Sequence, residues 1–319
     1  MSLLNRFYGN DKAKEALVFY QRDGRFPHGI LLEGEEGSGR KTFARLIAAA
    51  ALCEGENPPC GQCRQCRKIF KGIHPDVQMI APEPGKKSFQ KEQIERLRAD
   101  AWVKPNEAPR KVYILCETQY MTSWAQNALL KLLEEPPAGV LFLLTCDNRS
   151  RLLETVQSRV VALPLAGPGE ALTAKALLEQ IPELGEEKAR KAAAQSGGNV
   201  GRAKKLLADE KYAALLEKAV DLCSKMETAD RFGILQVLAG FENDREGLLQ
   251  CLEQVRQLLA KNTKDSFFTK NTRQFRILPL QAGRVLGIIE QGMEYARQNM
   301  SMTLLTTWLG AGIGSAFEE

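Results

Sequence analysis

The chain has 319 residues, of which 44% are hydrophobic and 26% are charged, and its formal net charge at pH 7 is +5. This balance is typical of a soluble globular protein and excludes disordered and fibrous classes, and the length favours two or three domains. No apolar run approaches the roughly 20 residues that span a bilayer, and the N-terminus lacks the pattern of a secretion signal. We therefore expect a cytoplasmic protein without a membrane partner. The mild positive charge permits contact with nucleic acid without establishing it.

Apolar runs bounded by turn residues alternate with helical patterns through the first half of the chain. Several of these runs have no position suited to solvent, which is typical of buried parallel strands. The alternation therefore predicts an α/β fold in which helices cover a parallel sheet. The predicted strands are 28–33, 76–81, 111–117, 140–145 and 160–165, and the predicted helices between them are 40–52, 90–103, 123–134 and 151–158.

A glycine-rich segment follows the first predicted strand and leads into the first of these helices. This is the position of a phosphate-binding loop, in which backbone amides and a helix N-terminus hold phosphates. If Gly34 and Gly39 are the frame glycines, an intact loop continues with Lys and then with Ser or Thr. The candidate residues of the loop are Gly34, Gly37, Gly39, Arg40, Lys41 and Thr42.

The residues after Gly39 depart from this pattern. Arg40 keeps a positive charge but replaces a compact ammonium by a planar fork. Lys41 removes the hydroxyl that binds magnesium and places a cation near the metal position. Thr42 supplies a hydroxyl only if the loop slips by one residue, and then Arg40 falls on a glycine position. The segment is therefore either a degenerate nucleotide site or a glycine-rich turn without a ligand.

A cluster of cysteines follows the helix of the phosphate loop. Eight cysteines in a chain without a secretion signal favour thiols or metal ligands over disulfides. Two overlapping Cys-x-x-Cys turns and a fourth thiolate suit a tetrahedral ion, and four ligands leave no open position, so we predict a structural zinc. A redox pair and four unbound thiols are the alternatives. The predicted ligands are Cys53, Cys60, Cys63 and Cys66.

The remaining cysteines and the histidine after the cluster have a simpler interpretation. Small buried apolar roles are expected for the thiols outside the cluster, which lie in predicted strands and helices. The Pro-Asp sequence after His74 suits a turn into a strand better than a fifth metal ligand. The four thiols outside the cluster are Cys116, Cys146, Cys223 and Cys251.

The third predicted strand supports the loss of the magnesium site. In an intact site this strand ends in Asp and Glu, the Asp for the metal and the Glu for the attacking water. Cys116 occupies the Asp position, and a thiol is a poor partner for a hard cation. Glu117 remains without a metal site on which to act.

The strand pattern ends after residue 165, and the Gly-Pro-Gly run at 167–169 indicates a hinge. The second half of the chain is helical in pattern. We predict three domains: residues 1–166 with a zinc module at about 53–66, residues 167–209, and residues 210–319. The predicted helices of this half are 170–180, 186–195, 200–208, 211–226, 231–241, 245–261, 279–298 and 302–308.

The order of several motifs resembles that of the clamp-loader subunits of bacterial DNA polymerase III, a family of AAA+ proteins. The resemblance covers nearly the whole chain, and the Asn-Ala-Leu-Leu-Lys to Glu-Glu-Pro-Pro stretch is highly specific. The motifs are the Phe-Pro-His-Gly segment at 26–29, the degenerate phosphate loop, the cysteine cluster, His-Pro-Asp at 74–76, the stretch at 127–137, and Ser158 with Arg159.

The resemblance implies a fold, a role and a set of partners. The fold is an AAA+ P-loop type sheet domain with a zinc insertion, a small helical lid and a C-terminal helical collar. Arg159, with Ser158, is expected to reach the ATP of a neighbouring subunit, where such an arginine stabilises developing charge. The family usually has Cys after this pair, and Val160 stands here. Arg202 falls where AAA+ lids carry a nucleotide-sensing residue.

Three hypotheses remain in view. The first is a non-hydrolysing clamp-loader subunit that does not itself bind ATP or catalyse a reaction. Its partners are the gamma/tau and delta subunits and, through the assembly, the sliding clamp and primed DNA. The second is an ATP-hydrolysing subunit of the gamma/tau type. The third is a separate zinc-containing DNA-binding module. For Arg159 the alternative is a surface arginine paired with a nearby acid such as Glu154, and for Arg202 it is a helix-surface charge.

Overall fold

This structure, a computed structural model, describes residues 3–22, 24–83, 86, 88–268 and 275–317. The chain divides into two compact units, Met1–Lys204 and Lys205–Glu319. The division falls inside one helix and does not separate residues 1–166 from 167–209. The proposed subdivision into three domains therefore stays a prediction.

The first unit contains a sheet of five strands, and every neighbouring pair is parallel. The strand order is β2-β3-β4-β1-β5. All five predicted strands are present, and the prediction of an α/β fold is confirmed. The strands are β1 (Gly29–Glu33), β2 (Val77–Ile80), β3 (Lys111–Leu115), β4 (Val140–Cys146) and β5 (Val161–Pro164).

Helices connect these strands and continue beyond the sheet. They are α1 (Asp11–Arg22), α2 (Arg40–Leu52), α3 (Arg64–Lys71), α4 (Lys91–Ala101), α5 (Ser123–Glu134), α6 (Glu154–Gln157), α7 (Glu170–Gln180), α8 (Glu186–Gln195) and α9 (Val200–Ala208). Helices α1 and α3 were not predicted from the sequence.

The helix predicted at 151–158 is wrong in extent. The segment instead forms a 3-10 turn at Arg149–Arg151 and then the single turn of α6. The backbone between them is extended, because the amide N–H of Leu153 donates to the side-chain Oε1 of Gln126 at 2.7 Å. A helix that ran on without a break from the 3-10 turn would instead have used this donor for its bond to residue 149.

Side chains alternate between the two faces of the sheet, as in any strand. Ile30 and Ile114 point to the face covered by α1, α2 and α3, and α2 is rich in buried alanine. Leu31 and Leu115 point to the opposite face, against α4 and α5. Both faces are buried at the three central strands β1, β3 and β4, which explains why these strands lack an alternating polar pattern.

The second unit is helical. Its helices are α10 (Glu210–Glu227), α11 (Arg231–Ala239), α12 (Arg245–Phe268), α13 (Pro279–Arg297) and α14 (Met302–Ser315). Its core includes Leu252 of α12, Ile289 of α13 and Leu309 of α14, all fully buried. The prediction of an all-α region is confirmed, although α12 and α14 extend further than predicted. Among the described residues, no helix is long and apolar enough to cross a membrane.

Candidate functional site

The glycine-rich loop lies where the sequence places it, between the C-terminal end of β1 and the start of α2. Gly39 is the N-cap of α2, with φ of 90°, and α2 begins at Arg40. This matches the register in which Gly34 and Gly39 frame the loop. A Cβ atom on Gly34 would lie 2.1 Å from the carbonyl oxygen of Leu165, so no larger residue fits there.

An ion pair occupies the centre of the degenerate site. Nζ of Lys41 lies 2.6 Å from Oε1 of Glu117, which follows β3. The side chains are 50% and 33% exposed respectively. Lys41, at the position expected for the magnesium-binding hydroxyl, therefore contacts the carboxylate that follows the strand. The sequence predicted no contact for Glu117, and in the structure it pairs with Lys41.

The other loop residues differ in burial. Cys116 is buried, and burial raises the pKa of its thiol, so this position offers no anionic ligand at neutral pH. Arg40 is also buried, and its Nη1 has no hydrogen-bond partner among the described residues. The hydroxyl of Ser38 is likewise buried without a hydrogen-bond partner among the described residues. Thr42 is exposed in the first turn of α2.

The start of α9 contacts the loop directly. The side chain of Asn199 donates to the carbonyl oxygen of Glu36 at 2.9 Å. The amide of Gly201 donates to the carbonyl oxygen of Gly37 at 3.1 Å. Nη2 of Arg202 lies 3.1 Å from Oε2 of Glu35, and the Arg202 side chain is only 13% exposed. Arg202 is therefore largely shielded from solvent beside the loop, and its role as a nucleotide-sensing residue or as a helix-surface charge stays a prediction.

The four cysteines of the predicted zinc module come together in space. Their Sγ atoms all lie within 4.8 Å of one another, with Cys53 and Cys63 at 4.0 Å and Cys60 and Cys66 at 4.0 Å. Tetrahedral zinc–thiolate bonds of about 2.3 Å place neighbouring sulfurs about 3.8 Å apart. The cluster therefore fits a tetrahedral metal ion.

Backbone amides also point at these sulfurs. The amides of Gln62 and Cys63 donate to Sγ of Cys60 at 3.5 and 3.3 Å, and the amide of Cys66 donates to Sγ of Cys63 at 3.4 Å. The amide of Cys63, together with that of Gln62, lowers the pKa of Cys60 to about 6 against the opposing effect of burial. Donors of this kind stabilise thiolates, the form that binds metal.

His74 lies outside the cluster, as expected. The amide of Asp76 donates to its Nδ1 at 3.0 Å, so the proton resides on Nε2, which contacts Oε1 of Gln65 at 2.7 Å. The side chain is buried, and burial lowers its pKa. The network joins α3 of the cysteine module to the turn before β2.

The cysteines outside the cluster are all buried. Burial raises the pKa of Cys146 and of Cys251 to about 12 and raises that of Cys223. They lie within apolar clusters in both units. The expectation of small apolar roles is confirmed.

Arg159 lies just after α6, and Ser158 is the C-cap of that helix. Its Nη1 donates to the carbonyl oxygen of Thr155 at 2.7 Å and to the hydroxyl of Ser158 at 3.2 Å. Its Nη2 lies 2.7 Å from Oε1 of Glu134, at the end of α5. The acidic partner is therefore Glu134 and not Glu154, and the sequence analysis missed it.

Arg159 lies at the edge of the sheet where β1 begins, whereas the phosphate loop follows the C-terminal end of β1. A recess of 520 Å³ is lined by Arg159 and by residues before and at the start of β1, including His28 and Gly29. The loop follows the other end of β1, five residues later. At about 3.3 Å per residue the two ends of the strand are roughly 13 to 17 Å apart. Arg159 thus borders a different part of the surface from the chain's own loop.

Comparisons with known proteins find a matching family model and several relatives of this chain. A family model described as DNA polymerase III, delta subunit, matches residues 9–168. The delta′ subunit of DNA polymerase III from Bacillus subtilis strain 168 is 33% identical over 201 residues, 62% of this chain and 59% of that protein. The delta′ subunit from Escherichia coli K12 is 30% identical over 230 residues, 70% of this chain and 67% of that protein. The aligned part therefore spans about three fifths of the Bacillus relative.

A solved structure supports the fold. The crystal structure of a DNA polymerase III gamma subunit-related protein from Thermotoga maritima superposes with a TM-score of 0.50. It covers 94% of this chain and 99% of that chain at 17% identity, so the likeness concerns the fold alone. It agrees with the expected combination of a sheet domain and helical regions. Because the family model covers half of the chain and the Escherichia relative is 30% identical over two thirds of its length, this chain belongs to the DNA polymerase III delta-subunit family.

Proposed function

We propose that this chain is a non-hydrolysing delta′-type subunit of the clamp loader, which supplies Arg159 as an arginine finger to the ATP of a neighbouring subunit. The observation that carries the proposal is the position of Arg159. Its guanidinium borders an open recess at the edge of the sheet opposite the chain's own loop. A phosphate that it contacts must therefore belong to another molecule, and a guanidinium there stabilises charge on a transferring phosphoryl group.

The absence of hydrolysis is supported by the ion pair between Lys41 and Glu117. ATP hydrolysis in loops of this type needs magnesium on a Ser or Thr hydroxyl and a strand carboxylate, and a carboxylate that orients water. Lys41 and Cys116 replace the two ligands. Glu117, the remaining carboxylate, is neutralised by an ammonium at 2.6 Å. We infer that the chain does not turn over ATP by itself.

Zinc is the metal that best suits the cysteine cluster. Four thiolates at tetrahedral spacing are soft ligands, and they leave no position for a substrate or water. The four ligands would be Cys53, Cys60, Cys63 and Cys66, the same set as predicted. The bound ion would hold the loop between α2 and the start of α3 in one conformation, and its role would be structural.

The partners follow from the family and remain part of the proposal. A subunit that completes a neighbour's ATP site must be held against an ATPase subunit, for which gamma/tau is the candidate. The delta subunit would complete the assembly. The sliding clamp and primed DNA would be bound by the assembly as a whole, in the cytoplasm, with the helical second unit as the collar.

The proposal is tested by the steady-state ATPase rate of a reconstituted assembly that contains the Arg159→Ala variant with gamma/tau, delta, clamp and primed DNA. We expect a loss of the turnover contributed by the site next to this subunit. Arg190→Ala is the matched control, because Arg190 is 76% exposed and, among the residues that the structure describes, pairs with Glu186 of its own helix. Full ATPase activity with Arg159→Ala would refute the proposed role.

A gamma/tau-like ATPase is the second candidate, and one observation favours it. Nη1 of Arg40 and the hydroxyl of Ser38 are buried beside the loop without a partner among the described residues. A phosphate would satisfy such groups. Turnover of magnesium-ATP by the isolated chain would establish this function and overturn the first one.

A further inference from the structure

Three segments that are distant in the sequence surround one recess. They are the Pro-His-Gly segment at 27–29, the end of α5 at Leu133 and Glu134, and the run from Ser158 to Val161. A Cβ atom on Gly29 would lie 2.9 Å from Cγ1 of Val160, which explains why the chain has glycine there. In the sequence the segments at 27–29 and 133–134 were only marks of resemblance. Their convergence on Arg159 gives the end of α5 a role beside the arginine.

The guanidinium of Arg159 is contacted from its own segment and from the end of α5. The carbonyl oxygen of Thr155 and the hydroxyl of Ser158 accept hydrogen bonds from Nη1, and Nη2 forms an ion pair with Oε1 of Glu134 at 2.7 Å. Arginine has five N–H donors in a fixed plane. Among the described residues Nη1 donates two hydrogen bonds, so the guanidinium keeps N–H donors for an incoming oxygen. The bonds from two directions fix the plane as well as the position of the group.

Glu134 is the contact of Arg159 that comes from a distant part of the chain. Thr155 and Ser158 are within four residues of Arg159, whereas Glu134 reaches it from another helix. Helix α5 ends at Glu134, and the two prolines that follow prevent its continuation. This end fixes the carboxylate beside the guanidinium. The Arg159 and Glu134 side chains are 33% and 46% exposed, so a ligand from outside can reach the pair.

We propose that Glu134 is a positioning residue for the arginine finger. This inference rests on the proposed function of Arg159. The carboxylate holds the guanidinium in the orientation that meets a phosphate oxygen of the neighbour's ATP. Without this carboxylate, Nη2 loses its contact with the end of α5, and the long arginine side chain samples other rotamers. Misorientation of a group that acts in the transition state lowers the rate of the chemical step and leaves ground-state binding of ATP unchanged.

The test compares Glu134→Ala, Glu134→Gln and Glu135→Ala in the reconstituted assembly. The readouts are the single-turnover rate of ATP hydrolysis at the adjacent site and the ATP concentration for half saturation. We expect Glu134→Ala to lower the rate about 3- to 5-fold, the effect of a partly exposed ion pair, without a change in half saturation. Glu134→Gln keeps an acceptor oxygen and should restore most of the rate. Glu135→Ala is the neighbouring control and should match the unmodified protein.

The Arg159→Ala variant and the double variant are measured in parallel. If Arg159→Ala alone has no effect, the proposed function fails. If Arg159→Ala lowers the rate but Glu134→Ala leaves it unchanged or raises it, only the role of Glu134 is wrong. In the double variant the loss should equal that of Arg159→Ala, because a positioning residue has no effect without its target. An unchanged melting temperature of each free variant ensures that the comparison is made between folded proteins.

Discussion

Lys41 forms a 2.6 Å ion pair with Glu117, although 75 residues separate them in the chain. The pair forms because the parallel sheet brings the loop after β1 and the residues after β3 to the same edge, on either side of β4. It joins Lys41, at the position expected for a magnesium-binding hydroxyl, to the carboxylate expected to orient water. These two positions of the expected site are thus linked by an intrachain contact.

Restoring the missing groups should restore magnesium-dependent ATP binding. The variant Arg40→Lys, Lys41→Thr, Cys116→Asp supplies the compact ammonium, the hydroxyl and the carboxylate, and it frees Glu117 from its partner. We expect at least about 10-fold tighter binding of ATP with magnesium than with EDTA, by isothermal titration calorimetry. Equal binding in both buffers by a folded triple variant would contradict this explanation of the site.

The cysteine cluster should hold one zinc ion per chain. Removal of the ion with a chelator should lower the melting temperature of the protein, because metal binding contributes to folding. Metal content is measured on protein purified without chelator, and Cys60→Ser should lose the ion. Cys116→Ala, a buried cysteine outside the cluster, should keep it. Less than about 0.5 zinc per chain in the unmodified protein would exclude a site of this type.

Asp76 should contribute to stability through its hydrogen bonds. Its carboxylate accepts from the amides of Asn106, Glu107 and Ala108 at 2.6 to 2.9 Å, and it fixes the segment before β3. Asp76→Asn loses acceptors in a buried position and should lower the free energy of unfolding by about 1 to 3 kcal/mol in urea titrations. Asp221→Asn, on an exposed position of α10, should change it little.

The same carboxylate should make stability depend on pH in the acid range. Burial alone would raise the pKa of Asp76, but the three amides and the Asn106 side chain lower it to about 2, from an ordinary value of 3.8. The folded protein therefore binds this proton less readily than the unfolded chain. The contribution is full above the unfolded value and disappears as pH falls from about 4 to about 2. In Asp76→Asn the difference from the unmodified protein should vanish over that window, and a constant difference would contradict the assignment.

Two glycines in helices should respond oppositely to alanine. A Cβ atom on Gly201 would lie 2.5 Å from Cα of Gly37 in the phosphate loop, whereas one on Gly283 of α13 would meet nothing within 4 Å. Gly201→Ala must displace backbone and should cost about 1 to 3 kcal/mol. Gly283→Ala should stabilise by about 0.5 to 1 kcal/mol, since alanine suits a helix interior better. Urea unfolding of both variants measures the two values, and equal shifts would refute the contact at Gly201.

Sequence patterns were sufficient for the elements whose signal is local. The apolar strands and helix α2 depend on neighbouring residues, and they were predicted. The cysteine spacing is also local, and it predicted the cluster. Helix α3 was missed because it has eight residues and begins inside the cysteine run. Helix α1 was missed as well. The continuous helix expected at 151–158 failed because Gln126, from a different helix, accepts the bond of Leu153.

The side-chain pairs at the candidate sites could not be predicted from the sequence. Glu134 was visible as part of the Glu-Glu-Pro-Pro run, but its contact with Arg159 depends on where α5 ends relative to α6. Glu35 was visible in the loop, but its contact with Arg202 depends on the placement of α9. Both are contacts between elements far apart in the chain, and they follow from packing and not from spacing. The residue types were therefore identifiable, and their partners were not.

The role of Arg159 is tested most directly by single-turnover ATP hydrolysis in the reconstituted assembly with clamp and primed DNA. With Arg159→Ala we expect the site next to this subunit to hydrolyse ATP at least about 10²-fold more slowly, while its ATP occupancy stays unchanged. Arg159→Lys keeps the charge without the planar fork and should recover only part of the rate. Arg190→Ala should behave as the unmodified protein. An Arg159→Ala assembly in which every site hydrolyses ATP at the unmodified rate would contradict the proposal that this chain acts on its neighbour's ATP.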